Sequence, residues 1–131
     1  ALREISDEDT SRYGVVGIKR DMGNGLYQID GYFEKPGPKN APSRLACVCG
    51  YVLSPEVMKH LSMDNISSRG EVEMAQAIND LSITDEVYGL VIEGDYHDTG
   101  SPELYIQTLV DIALQDENYG DKFREYLRNK L

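Results

Sequence analysis

The chain has 131 residues, a length that suits one domain with a substantial buried core. Lys and Arg number 13 while Asp and Glu number 23, so the formal net charge is −10 at pH 7. This charge argues against binding to nucleic acid or to an anionic membrane surface, because phosphate groups repel it.

The composition and the termini indicate a cytoplasmic chain that is a piece of a longer protein. Hydrophobic residues make up 40% and charged residues 27%, which is typical of a globular protein. No apolar run is long enough to cross a bilayer, and the start lacks the pattern of a signal peptide. Cys47 and Cys49 are poorly placed for a disulfide, so we expect reduced thiols. The first residue is Ala1, and residues 1–10 read like the interior of a longer sequence.

Two strands and a tight turn are predicted first along the chain. Residues 13–19 are rich in β-branched side chains, and residues 27–33 alternate between apolar and polar. Asn24 and Gly25 between them favour the positive φ angles of a tight reversal. These features predict a β-hairpin.

A proline-rich loop and a buried strand are predicted next. Residues 35–43 contain three prolines, which exclude a central strand and predict an ordered loop. Residues 45–53 are almost wholly apolar, which is typical of a strand buried on both faces. We therefore expect this strand at the centre of the sheet.

The sequence from residue 54 onward contains signals for four helices and one more strand. Ser-Pro-Glu occurs at residues 54–56 and again at 101–103, and each copy predicts a helix start. Ser68 and Glu71 have capping-box spacing and predict a helix over residues 71–81. Residues 87–93 predict a strand. Phe123, Leu127 and Leu131 form the apolar stripe of a last helix. Taken alone, this mixture predicts an α+β fold, or alternatively the second half of an α/β domain.

Glu34 and Lys35 are the first candidate site residues. They follow a predicted strand, at the kind of loop where functional side chains are often placed. A carboxylate beside an ammonium offers an acceptor for sugar hydroxyls and a charge for a phosphate. The alternative interpretation is that Lys35 is one more solvated surface charge.

Asp98 is the candidate metal ligand. It lies between a predicted strand and a helix start, where Mg²⁺ is commonly held by one or two carboxylates and substrate phosphates. The alternative is a turn in which Asp98 bonds its own backbone. A Cys-x-Cys metal site would need two more ligands, and only His60 and His97 are on offer, so core cysteines are the simpler interpretation.

Six motifs occur in order along the chain: Arg-Tyr-Gly-Val-Val at 12–16, Glu-Lys-Pro at 34–36, Ala-Pro-Ser-Arg-Leu-Ala at 41–46, Tyr-Val-Leu-Ser-Pro-Glu at 51–56, Gly-Glu-Val at 70–72 and His-Asp-Thr-Gly at 97–100. Taken together, they resemble the C-terminal half of bacterial UTP:glucose-1-phosphate uridylyltransferases, a nucleotidyltransferase family. The resemblance covers nearly the whole chain.

This resemblance implies a set of roles within a mixed-sheet nucleotidyltransferase domain. Residues 1–131 would form the sugar-phosphate half, and the N-terminal half with the nucleotide-binding loop and a second metal carboxylate would be absent. Glu34 would accept hydrogen bonds from glucose hydroxyls, and Lys35 would bind the sugar phosphate as the catalytic residue. Gly14 would let the backbone approach the sugar, and Asp98 would share Mg²⁺ with the missing carboxylate.

The implied reaction forms UDP-glucose and pyrophosphate from UTP and glucose-1-phosphate. The chain alone is expected to be inactive, and the whole enzyme is expected to be a homo-oligomer. One alternative is another sugar-phosphate nucleotidyltransferase, such as a thymidylyltransferase. The other is a non-catalytic oligomerisation fragment that uses the apolar stripes of the last two helices.

Three departures from the family pattern stand out. The usual Gly-Arg-Tyr is Cys-Gly-Tyr at residues 49–51, and the usual Gln-Leu-Thr-Asp is Glu-Met-Ala-Gln at 73–76. Arg44 stands where Asn is common. These departures indicate either an altered detail of the sugar site or a divergent lineage.

Overall fold

The computed structural model describes residues 1–48, 50–61, 66 and 70–131. The chain divides into two compact units, Ala1–Glu93 and Gly94–Leu131, and each is treated by itself. The first unit combines an antiparallel sheet with one α-helix, and the second is helical. The α+β class predicted for the chain taken alone is confirmed.

The sheet of the first unit has five strands in the described residues, in the order β1-β4-β2-β3-β5, with antiparallel neighbours. The strands are β1 (Leu2–Glu4), β2 (Val15–Gly23), β3 (Leu26–Phe33), β4 (Leu45–Cys47) and β5 (Val87–Leu90). A parallel bridge between Leu2 and Val91 connects the two outer strands, so the sheet curls until its edges meet.

The predicted hairpin is confirmed as β2 and β3. Their pairing runs from Val15 opposite Phe33 to Gly23 opposite Leu26. The two turn residues Asn24 and Gly25 have φ angles of 54° and 74°. Two consecutive left-handed residues match the twist of the flanking strands, which is why Asn-Gly favours this turn.

The predicted buried central strand over residues 45–53 is wrong. β4 ends at Cys47, and the centre of the sheet is β2. Tyr51, Val52 and Leu53 are exposed, and Cys49 lies outside the described residues. Gly50 has a φ of 69°, a conformation that an extended strand does not adopt. Apolar composition indicated burial there, but the segment joins the ladder with its neighbouring strands only at residues 45–47.

The helices of the first unit are shorter than predicted or begin later in the sequence. The Ser-Pro-Glu at residues 54–56 begins a short 3₁₀ helix (Pro55–Lys59). The helix predicted over residues 71–81 is α1 (Met74–Thr84), and Ser68 of its predicted capping box lies outside the described residues. Likewise, the strand predicted over residues 87–93 stops at Leu90.

The core of the first unit lies between the sheet and α1. One cluster comes from the strands and contains Leu2, Val16, Ile29 and Leu45. A second cluster joins α1 to the 3₁₀ helix and contains Val57, Ala77 and Leu81. Val87 packs against both clusters, so α1 has a fixed position on the sheet.

The second unit contains α2 (Pro102–Gln115) and α3 (Gly120–Arg128). Ser101 caps α2 as predicted, because its Oγ accepts a hydrogen bond from Leu104 N at 3.3 Å. The predicted stripe of the last helix is partly wrong. Phe123 and Leu127 are half-buried, but α3 ends at Arg128 and Leu131 is exposed. Among the described residues, no helix has both the length and the apolar character of a membrane span.

Candidate functional site

At one end of the sheet, the start of β2 lies beside the ends of β3 and β4, and this brings predicted site residues together. Gly14 directly precedes β2, and Glu34 directly follows β3. Val15 lies opposite both Phe33 and Ala46, so Gly14, Glu34 and Cys47 occupy neighbouring positions. Cys47 N donates a hydrogen bond to Gly14 O at 2.9 Å, which continues the pairing one residue beyond the strands.

Lys35 has an unusual backbone conformation. Its φ is 48°, in the left-handed region that costs a residue with a Cβ about 1–2 kcal/mol. Its Nζ lies 3.6 Å from Glu34 Oε1, and the Lys35 side chain is 52% exposed. The ammonium is therefore accessible to an anion while a carboxylate stands beside it. Strained residues of this kind are concentrated at functional sites.

Two long-range contacts hold the backbone on either side of the Glu34–Lys35 turn. Before the turn, the side-chain amide of Asn79 hydrogen-bonds the main chain of Tyr32. After it, Gly37 N donates to Thr10 O at 3.1 Å. Thr10 is fully buried, and its hydroxyl donates to Asp7 O at 2.5 Å. The turn is thus held at both ends by well-packed parts of the first unit.

The need for glycine at position 14 comes from Tyr32. Gly14 is buried, and a Cβ built there would lie 2.5 Å from Cζ of the Tyr32 ring. Real Cβ atoms do not approach a carbon so closely. The face of Gly14 from which a side chain would project is therefore covered by the Tyr32 phenol.

Tyr32 belongs to a small polar cluster with Tyr51 and Cys47. Cys47 Sγ lies 3.3 Å from Tyr51 Oη, and the Tyr32 phenol is close enough to interact electrostatically with both. Burial, with smaller contributions from Cys47 and Glu34, raises the pKa of Tyr32 to about 12. Burial also raises the pKa of Tyr51. Both phenols therefore stay protonated at neutral pH and remain available as hydrogen-bond donors.

A cavity of about 630 Å³ borders this cluster. Tyr32, Tyr51 and Cys47 form part of its wall, and much of the remainder is apolar, including Ile29 and Ile78. Gly14, Glu34 and Lys35 are not among the described residues that line it. The Tyr32 ring thus contacts Gly14 and also forms part of the cavity wall.

Asp98, the candidate metal ligand, lies in the second compact unit. Its Oδ1 accepts a hydrogen bond from Gly100 N at 2.8 Å, and its main-chain oxygen accepts one from Thr108 Oγ1 at 3.3 Å. The turn interpretation of Asp98 therefore describes its local geometry. A carboxylate also suits Mg²⁺, but the described residues contain no group of three or more His, Cys, Asp or Glu that could hold a metal. Asp98 fits a shared site as a single ligand.

Part of the Ala-Pro-Ser-Arg-Leu-Ala motif has a structural role. Ser43 Oγ donates to Val16 O at 2.6 Å and accepts from Leu45 N at 3.0 Å. Arg44, one of the departures from the family pattern, forms an ion pair with Asp7. This pair connects the start of β4 to the residues that support Thr10.

Sequence reasoning did not find Tyr32, Tyr51 or Asn79. The weak signal for Tyr32 was its position two residues before Glu34 in an alternating strand. The signal for Asn79 was a polar residue directly after the buried Ala77 and Ile78 of α1. Tyr51 lay in the segment that was predicted as a buried strand.

Comparison with known proteins points to one class of enzyme. No family model matches the sequence. A curated relative, UTP–glucose-1-phosphate uridylyltransferase 2 of Staphylococcus saprophyticus, is 32% identical over 127 residues, which are 97% of this chain and 44% of the relative. The chain thus spans less than half the length of this relative.

Solved structures agree with the sequence comparison. A UTP-bound UDP-glucose pyrophosphorylase from Acinetobacter baumannii superposes with a TM-score of 0.82 and 28% identity, over 96% of this chain and 43% of that one. A UDP-glucose pyrophosphorylase complexed with UDP-glucose superposes with a TM-score of 0.79 and 26% identity, over 88% of this chain and 43% of that one.

The sequence and the fold therefore resemble those of nucleotidyltransferases that handle UTP and a sugar phosphate. More particularly, the chain matches a fragment of UTP–glucose-1-phosphate uridylyltransferase.

Proposed function

We propose that residues 1–131 supply the sugar-phosphate site of an enzyme that forms UDP-glucose from UTP and glucose-1-phosphate. The observation that carries this proposal is the match to a uridylyltransferase over 97% of the chain. Neighbours solved with UTP and with UDP-glucose support it. The nucleotide-binding half would lie in the part of the enzyme that this chain does not match.

The reaction is a transfer of a uridylyl group between two anions. A phosphate oxygen of glucose-1-phosphate attacks the α-phosphorus of UTP, and the bond from that phosphorus to the oxygen bridging to the β-phosphate breaks. Pyrophosphate leaves, and UDP-glucose remains. Catalysis of this kind depends on positioning and on neutralising charge, so no protein nucleophile is needed.

Lys35 and Glu34 match the two ends of the sugar substrate. The ammonium of Lys35 would bind the phosphate and reduce its repulsion from UTP, while the carboxylate of Glu34 would accept hydrogen bonds from glucose hydroxyls. In glucose-1-phosphate these groups are neighbours on one ring, and in the protein the two charges lie 3.6 Å apart. The 52% exposure of the Lys35 side chain allows a phosphate to reach it.

Asp98 would hold Mg²⁺ together with a carboxylate from outside this chain. When bound, the ion would neutralise phosphate charge. The Asp98 turn, fixed by Gly100 and Thr108, gives the carboxylate a defined orientation for this role.

The relatives are UTP-dependent uridylyltransferases, which favours UTP over other nucleotides and leaves the thymidylyltransferase alternative without support. A cytoplasmic location, a homo-oligomeric enzyme and the absence of nucleic-acid or membrane partners stay predictions from the sequence. So does the inactivity of the chain on its own.

The proposal is tested in a chimaera in which this chain replaces the matching 44% of the Staphylococcus saprophyticus enzyme. We expect the chimaera to form UDP-glucose from UTP and glucose-1-phosphate. Lys35→Asn should lower kcat/KM for glucose-1-phosphate by about 100-fold, because it removes the charge that positions and neutralises the phosphate. Asn suits this test because it tolerates a left-handed backbone.

The matched control is Lys39→Asn, which removes the same charge from an exposed position of the neighbouring loop. It should leave kcat/KM within about twofold of the unsubstituted chimaera. A folded chimaera without UDP-glucose synthesis would contradict the proposed enzyme. Equal kinetics for the two lysine variants would remove Lys35 from the site.

A further inference from the structure

On the side of β3 that faces β5, the main-chain hydrogen-bonding partner changes before the strand reaches the candidate site. β5 pairs with β3 only from Leu26 to Ile29. Beyond that point, in the described part of the chain, the outer main-chain groups of Tyr32 meet a side chain instead of a strand. That side chain is Asn79 of α1.

The Asn79 amide replaces a neighbouring strand at this point. Tyr32 N donates to Asn79 Oδ1 at 2.5 Å, and Asn79 Nδ2 donates to Tyr32 O at 2.7 Å. A carboxamide presents the same donor and acceptor as a peptide group, so it can pair with both main-chain groups of one residue. The contact joins residues 47 positions apart in the sequence.

The helix that carries Asn79 is itself well anchored. Its neighbours Ala77 and Ile78 are buried, and Leu81 one turn later is buried too. The amide therefore reaches β3 from a base that packing has fixed.

We infer that Asn79 is a positioning residue for glucose-1-phosphate, acting through the backbone of Tyr32 on Lys35. This inference rests on the proposed function. Lys35 follows Tyr32 by three residues and has a strained φ of 48°, which persists only where the surroundings determine it. The clamp at Tyr32 and the bond from Gly37 to Thr10 are the two fixed points between which that conformation is held.

The test is a titration with glucose-1-phosphate of the chimaera described above, in which the wild-type chain is compared with Asn79→Ala and Asn79→Asp. Asp has the shape of Asn but, when ionised, cannot donate to Tyr32 O, so it removes half of the clamp with little change in packing. We expect both variants to raise the dissociation constant by about tenfold, because a small displacement of a positioned charge lowers the affinity strongly.

The control is Ser82→Ala, which removes one hydrogen bond within the same helix, from Ser82 Oγ to Asn79 O. It should change the dissociation constant by less than about twofold. Thermal unfolding of each variant shows whether the fold is retained, and Asn79→Asp provides the result if Asn79→Ala does not fold.

A second background separates positioning from a general structural role. In Lys35→Asn the phosphate partner is already missing, so adding Asn79→Asp should weaken the remaining affinity by less than about twofold. Equal weakening in both backgrounds would overturn the inference, as would unchanged affinity of Asn79→Asp in the wild-type background. Absence of binding by the wild type would contradict the sugar-phosphate site itself, and the inference with it.

Discussion

Two turns, one in each compact unit, carry the charged candidate residues, and they are held in different ways. The Glu34–Lys35 turn in the first compact unit is supported by Asn79 and Thr10, which are distant in the sequence. The Asp98 turn in the second unit is supported by Gly100 and Thr108, which are two and ten residues away.

The backbone conformations of the two turns have different causes. The backbone of Asp98 follows from a local pattern, because a short carboxylate readily bonds the amide two residues on. The backbone of Lys35 is one that its own side chain disfavours, so the folded sheet and α1 have to impose it. Substitutions far from Lys35 in the sequence should therefore affect its turn, whereas the Asp98 turn should respond to its neighbours.

The largest loss of stability is expected at Gly14, which the Tyr32 ring covers. Gly14→Ala should lower the free energy of unfolding by about 1–3 kcal/mol, because the new methyl group overlaps the Tyr32 ring. Urea denaturation measures this change. The backbone is not the cause, since Gly14 is not one of the positive-φ glycines among the described residues.

A double-mutant cycle identifies the ring as the cause of that loss. In a Tyr32→Ala background the ring is absent, so Gly14→Ala should cost less than about 0.5 kcal/mol. The same cost in both backgrounds would show that Tyr32 is not what requires glycine, and the account of this end of the sheet would be wrong.

A smaller effect is expected at the locally held turn. Thr108 is buried, and Thr108→Val keeps its shape while removing the hydrogen bond to Asp98 O. We expect a loss of about 1 kcal/mol, measured as faster amide hydrogen exchange in the turn around Asp98 and Gly100. Thr84→Val is the control, because its hydroxyl bonds Leu81 O in α1. Unchanged exchange at Gly100 in Thr108→Val would show that the Asp98 turn does not depend on the hydrogen bond from Thr108.

The same contrast explains how far the sequence could predict the structure. The β2–β3 hairpin was predictable because two adjacent residues, Asn24 and Gly25, determine its turn. The start of α2 was predictable for the same reason, since Ser101 caps a helix that begins at the next residue. In both cases the deciding interaction spans only a few positions.

Predictions failed where pairing partners decide the outcome. Residues 45–53 are apolar enough for a buried strand, but the segment pairs with its neighbouring strands only at residues 45–47. The short segment of β1 itself gave no pattern from which to predict it. A three-residue strand is too short to show a period.

The candidate site was partly predictable. Motif order pointed to Gly14, Glu34 and Lys35, and the register of β2 and β3 brings them to one edge of the sheet. The residues that hold them, Tyr32 and Asn79, carry no motif, because their contribution depends on a contact across 47 positions. Sequence patterns reveal groups that do chemistry more readily than groups that position them.

The smallest change in stability is expected at Lys35, where stability and binding should change in opposite directions. Lys35→Gly removes a left-handed strain of about 1–2 kcal/mol and adds about 0.5–1 kcal/mol of chain entropy to the unfolded state. The free energy of unfolding should therefore rise by about 0.5 kcal/mol. The ion pair with Glu34 that is lost is exposed and contributes little.

Lys35→Ala is the matched variant, since it removes the same ammonium without relieving the backbone. Both variants should lose affinity for glucose-1-phosphate, but only the glycine variant should gain stability in urea denaturation. If Lys35→Gly is no more stable than Lys35→Ala, the turn is not strained and needs no clamp. If it is more stable, the native lysine is retained against a stability cost, which is what a residue selected for its charge would show.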